Sequence, residues 1–169
     1  MRIALTLVVF LFVVRSALAT DYYIRESGSD SNNGLTPESA FASLDRFDGI
    51  AQPGDTVYIG AGTYSGPARF TTPGTATQPV RIIGDQLGQR TGDAGQVVLT
   101  NSISSEIVRL TRSSYYEFSG LRFLDGSKAI TVDAAVGIVI SDCSFEGSAQ
   151  MAISVINNGS ISVSDCTVS

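Results

Sequence analysis

The chain has no histidine, only two cysteines, and 11 Lys or Arg against 16 Asp or Glu in 169 residues. Without histidine there can be no Ser-His-Asp triad, no imidazole base and no His-ligated metal. Acid–base chemistry therefore falls to Asp, Glu, Lys, Arg or Tyr. The formal net charge of −5 argues against nucleic acid, whose phosphates demand a basic face. It also disfavours an anionic polymer held by charge alone, unless a cation bridges the two.

Long apolar runs are missing too, apart from one at the start. Arg2 precedes the apolar stretch Ile3 to Val14, and Ala17-Leu18-Ala19 follows as a small-x-small cleavage site. This pattern predicts a secretory signal peptide over residues 1–19. The run is too short for a comfortable membrane span and is followed by Arg15. The mature chain is expected to be secreted, to an extracellular or periplasmic location. Arg2 and Arg15 leave with the leader, so 9 of the 11 basic residues face all 16 acidic ones, a net −7.

What the chain does have is a repeat. Ile138-Val139-Ile140-Ser141-Asp142-Cys143-Ser144-Phe145 returns 23 residues later as Ile161-Ser162-Val163-Ser164-Asp165-Cys166-Thr167-Val168. Tyr116-Glu117-Phe118-Ser119-Gly120-Leu121-Arg122-Phe123 stands 22 residues before the first of these. Such a period marks stacked coils. Three short strands per coil alternate apolar and polar residues. The alternation slips at Ser119-Gly120, Ser141-Asp142 and Ser164-Asp165, as a two-residue corner in a parallel coil requires. An antiparallel sandwich has no reason to keep this register. Cys143 and Cys166 occupy equivalent positions, which predicts two stacked, buried thiols in preference to a disulfide.

Ahead of the repeats, Asp21 to Arg25 reads as a strand and Gly28 to Gly34 as polar turns. Asp30, Asn32 and Asn33 match no calcium-loop spacing. Thr36 as N-cap, Pro37 at N1 and the spacing of Phe41, Leu44 and Phe47 predict a helix, stopped by Pro53-Gly54-Asp55. That helix would cap the open end of the coils. The organisation expected is a leader (1–19), an N-terminal strand and capping helix (20–55) and coils (56–169). Asn158-Gly159-Ser160 fits a glycosylation sequon but reads first as a turn.

Tyr22-Tyr23-Ile24, Gly28 to Pro37, Phe41-Ala42-Ser43-Leu44 and Ala51 to Tyr64 resemble the start of secreted right-handed parallel β-helix proteins of the pectate-lyase-like superfamily. The most specific stretch is Gln52-Pro53-Gly54-Asp55-Thr56-Val57-Tyr58, followed by Gly62-Thr63-Tyr64. The resemblance spans residues 21 to 169. It implies an all-β, right-handed parallel β-helix with a carbohydrate-directed role, but the fold alone fixes no activity. The chain stops at Ser169 on a repeat strand without a terminal cap, where family members usually run several coils further. A truncated or fragmentary chain is expected.

In this superfamily the substrate groove usually runs over the first sheet of the coil. That places Arg69, Arg109, Thr131 and Ser154 in one outward column, Thr111 and Asp133 in the next, and Glu106 and Lys128 near the strand starts. The lyase members use carboxylate-held calcium to neutralise a uronate and a Lys or Arg as the base of a β-elimination. Arg109, Arg112 and Lys128 are the candidate bases, and Glu106 and Asp133 the candidate Ca2+ ligands. Arg69, Arg109, Tyr115, Thr131 and Ser154 are the candidate polysaccharide-binding residues. No family catalytic motif matches them residue by residue, and for each the plain alternative is a solvated outward side chain. Two functions remain open: a lyase (less so a glycoside hydrolase) acting on acidic polysaccharide, and a non-catalytic surface, adhesion or glycan-binding module.

Overall fold

A computed structural model describes residues 18–102, 105–148 and 150–169. Most of the expected leader, residues 1–17, lies outside the described residues. Strand β1 (Asp21–Ile24) leads into the cap. The first coil follows as β2 (Thr56–Ile59), β3 (Gly62–Ser65) and β4 (Ala68–Phe70). The second coil is β5 (Val80–Gly84), β6 (Val97–Thr100) and β7 (Glu106–Thr111), and the third β8 (Tyr116–Ser119), β9 (Arg122–Leu124) and β10 (Lys128–Asp133). The fourth is β11 (Ile138–Ser141), β12 (Ser144–Glu146) and β13 (Met151–Ile156), after which β14 (Ile161–Ser164) and β15 (Thr167–Val168) begin another.

All strand pairs are parallel and join strands of successive turns. They form sheet A (β1-β2-β5-β8-β11-β14), sheet B (β3-β6-β9-β12-β15) and sheet C (β4-β7-β10-β13). The repeat read in the sequence is the pairing register itself: Phe118 pairs with Ile140, Ile140 with Val163, and Phe123 with Phe145. Inward residues therefore stack in columns. In sheet C, Phe70, Leu110 and Val132 are all fully buried. The Phe123 and Phe145 rings stack 5.1 Å apart with planes 7° from parallel. In the last turn the corresponding inward residues, Val155 and Val163, are exposed.

The corners between sheets A and B fall where the alternation slips. Gly120, Asp142 and Asp165 occupy equivalent places with φ of 68°, 49° and 52°. Left-handed backbone is cheap for Gly and tolerated by Asp. At Gly120 a Cβ would lie 2.7 Å from the Gly84 carbonyl oxygen. Cys143 and Cys166 follow these corners as free thiols, and each Sγ donates to a carbonyl two residues back at 3.1 Å.

The cap differs in detail from the continuous helix expected. Thr36 closes a capping box on one 3-10 turn, Pro37–Ser39. The chain then extends, and Phe41 bridges Ile24 as a parallel strand would. One α-turn, α1 (Asp45–Asp48), follows and packs against β4. The backbone hydrogen bonds of β1 to Phe41 outweigh the helical spacing of the aromatics, but the capping role survives. Phe41, Leu44 and Phe47 are buried over the first turn, and the Phe47 ring lies 5.5 Å from Tyr22. Strand β3 was also not anticipated, because its Gly-Thr-Tyr-Ser run gains strand character only by pairing with β6.

Candidate functional site

The outer face of sheet C carries the residues that the resemblance singled out. Arg69 pairs in register with Arg109, Arg109 with Thr131, and Thr131 with Ser154. Two residues on, Thr111 is level with Asp133, and towards the strand starts Glu106 is level with Lys128. Each strand contributes outward positions between inward ones, so coil stacking brings side chains some 22 residues apart into contact.

Arg109 is the hub of this face. Its Nη2 donates to Asp133 Oδ2 at 2.6 Å, and its Nη1 reaches Glu106 Oε1 at 3.3 Å and Oε2 at 3.4 Å. Its Nε donates to Thr111 Oγ1 at 3.2 Å. Asp133 is held from its other side by Asn157, whose Nδ2 donates to Oδ1 at 2.7 Å. The hydrogen bonds from Asn157 and then Arg109 hold the Asp133 carboxyl below the usual carboxylate range. The bond to Asp133 raises Arg109 further above an already high value. Arg109 is therefore a fixed guanidinium whose N–H groups are turned on Asp133, Glu106 and Thr111.

The other candidates divide. Thr131 is 1% exposed, and its hydroxyl has no hydrogen-bond partner among the described residues. Ser154 beside it is buried as well. Arg69 is exposed and Lys128 half-buried, and neither forms an ion pair among the described residues. Arg112 stands just past β7 with φ of 56°, exposed at the rim of the face. Tyr115 does not offer the free platform expected of it. It is half-buried in the connection from sheet C to sheet A, and its ring lies against Gly137, where a Cβ would come within 2.6 Å of Cδ1. Asn157 was missed, because Asn157-Asn158-Gly159 reads as a turn and nothing in the sequence aims its amide at Asp133.

The face does not suit calcium. Ca2+ takes six to eight oxygens at about 2.3–2.6 Å. Glu106 and Asp133 instead both turn their oxygens on the Arg109 guanidinium, and no group of three or more Asp, Glu, Cys or His that could hold a metal occurs among the described residues. Two shallow clefts of about 380 and 410 Å³ lie elsewhere, along the corner between sheets A and B.

Comparison of the whole fold decides its class. A lacto-N-biosidase of family GH136 from Eubacterium ramulus superposes with a TM-score of 0.69 at 14% identity over 88% of this chain and 34% of its own. Pectate lyase Pel9A gives 0.69 at 18% identity over 87% of this chain and 38% of its own. This is the right-handed parallel β-helix fold. An alginate lyase from Paenibacillus sp. str. FPU-7 shares the β-helix with a TM-score of 0.60 at 18% identity, over 86% of this chain and 58% of its own. The chain thus spans between a third and three-fifths of these β-helix proteins' lengths. No protein-family model matches it, and no curated protein matches it in sequence.

Proposed function

We propose that this β-helix protein is exported and acts on an acidic polysaccharide laid across the outer face of sheet C. Charge carries the reading. Sheet C and the residue after β7 hold Arg69, Arg109, Arg112 and Lys128 against Glu106 and Asp133, a net +2 in a chain of net −5. A basic face on an acidic protein attracts polyanions to one place and repels them elsewhere. The β-helix neighbours named as pectate and alginate lyases support the substrate class.

If the chemistry is elimination, a base removes the proton on the carbon next to the uronate carboxyl. The electron pair becomes a C=C bond, the glycosidic C–O bond breaks, and the departing oxygen takes up a proton. With Arg109 held by two carboxylates, the remaining candidate bases are Lys128, half-buried beside Glu106 in register, and Arg112, exposed at the rim. The held Arg109 equally favours the second reading, a module that binds the glycan without cleaving it. Incubating the secreted protein with pectate, alginate and chondroitin separates the two. Rising ultraviolet absorbance of unsaturated uronate supports the lyase. Retardation of the protein in a pectate or alginate gel without product supports the module. Neither product nor retardation refutes both.

A further inference from the structure

The Arg109 guanidinium sits among four oxygens from three residues: Glu106 Oε1 and Oε2, Asp133 Oδ2 and Thr111 Oγ1, at 2.6 to 3.4 Å. Carboxylates from two successive coils and a hydroxyl thus converge on one cationic group. Oxygen ligands meeting on one point are what a hard divalent ion requires. Here the point is taken by a side chain that is always charged. We propose that Arg109 is a built-in cation that fills the point a metal ion would occupy on this face, so that the face takes up no calcium and any glycan held here is held without it.

Several observations agree. Arg109 retains part of its exposure, with its side chain 33% accessible while those of Glu106 and Asp133 are 14% and 15% accessible. The carboxylates are therefore turned inward on the guanidinium, and the guanidinium is the group presented outward. Of its five N–H bonds, one at Nε serves Thr111, one at Nη2 serves Asp133 and the Nη1 contacts serve Glu106. At least one N–H stays available to a ligand carboxylate or hydroxyl. Level with it on β10, the buried Thr131 hydroxyl lacks a partner among the described residues, an unmet polar group on the same column. A fixed guanidinium recognises a carboxylate through directed hydrogen bonds as well as charge, which a hydrated ion does not.

The proposal rests on the glycan reading above, yet its test reads metal separately from glycan. Calcium binding is measured by isothermal titration on the full chain, as wild type, Arg109→Gln, Arg109→Lys and Arg109→Gln/Asp133→Asn, each checked for folding by circular dichroism. The expected result is no Asp133-dependent calcium binding by wild type or Arg109→Lys. Arg109→Gln should bind at least tenfold more tightly than wild type, and the double variant should lose that gain. Calcium binding by wild type as tight as that of Arg109→Gln would overturn the proposal, as would a folded Arg109→Gln that gains none. In a second arm, retardation in pectate or alginate gels is compared with and without EDTA. Unchanged retardation supports the built-in cation, and retardation abolished by EDTA refutes it. Failure of every gel condition would remove the glycan reading, while the calcium titration would still decide the role of Arg109.

Discussion

Arg109 on β7 and Asp133 on β10 are 24 residues apart and meet at 2.6 Å across two successive coils. The contact exists only because the coils stack in register, with Asp133 level with Thr111 and Thr131 level with Arg109. It turns two outward charges into one joint feature of the sheet. It also accounts for the properties of the face: its cation is fixed, and its carboxylates are already engaged.

Removing the core stack is expected to be costly. Phe123 is fully buried against Phe145. Phe123→Ala should destabilise by about 3–5 kcal/mol, as large-to-small changes at buried aromatics do. Urea unfolding followed by far-ultraviolet circular dichroism measures the loss. A change below about 1 kcal/mol would contradict the continuous stacked core.

The corner glycine should tolerate no side chain. Gly120→Ala meets both the positive φ and the Gly84 carbonyl oxygen at 2.7 Å, and is expected to cost about 1–3 kcal/mol. Asp142→Gly, at the equivalent corner one coil later, should cost nothing comparable because it relieves a left-handed Asp. Equal thermal shifts for the two variants would argue against this corner geometry.

Stability should fall in acid partly through Asp85. Its carboxylate is buried at the start of the loop after β5 and accepts bonds from the backbone N–H groups of Gln89, Arg90 and Thr91 and from the Thr91 hydroxyl. Burial pushes its pKa up, but those donors outweigh it and leave the group below its ordinary value. A depressed folded pKa means that the stabilisation is fully present above the unfolded value of about 3.9 and disappears as pH falls through the lower folded value. Asp85→Asn should therefore lower the urea midpoint at pH 7 and flatten its decline towards acid. An unchanged acid profile would show that Asp85 is not the group responsible.

The thiols should behave as packing groups. Burial pushes the Cys143 thiol up to about 12, so little thiolate forms at pH 8. In the native protein Cys143 should resist iodoacetamide at that pH and should be alkylated after denaturation, as peptide mass mapping would show. Reducing agent should leave the thermal midpoint unchanged, because both thiols are free.

Much of the architecture was legible because a parallel coil writes its register as a sequence period. The 22–23 residue spacing, the slips at Gly120, Asp142 and Asp165 and the inward columns all reappear as pairings and left-handed corners. The cap was less legible. The spacing of Phe41, Leu44 and Phe47 satisfies a helix, but a strand contact with Ile24 claims Phe41. Strand β3 left no alternation to read, since its partner supplies its structure.

The candidate face divides in the same way. Alternation and period alone place Arg109, Thr131 and Ser154 in one column, since both are local properties of the chain, whereas Arg69 joins it through the pairing of β4 with β7. Which outward charges pair, and that Asn157 and Thr111 complete the set around Arg109 and Asp133, depends on rotamers and on the lateral fit of neighbouring coils. Amino-acid order determined that this polypeptide winds, and where its corners fall. Only the stacked structure decided that Arg109 is held between two carboxylates, because that requires groups 24 residues apart to share a few ångströms of surface.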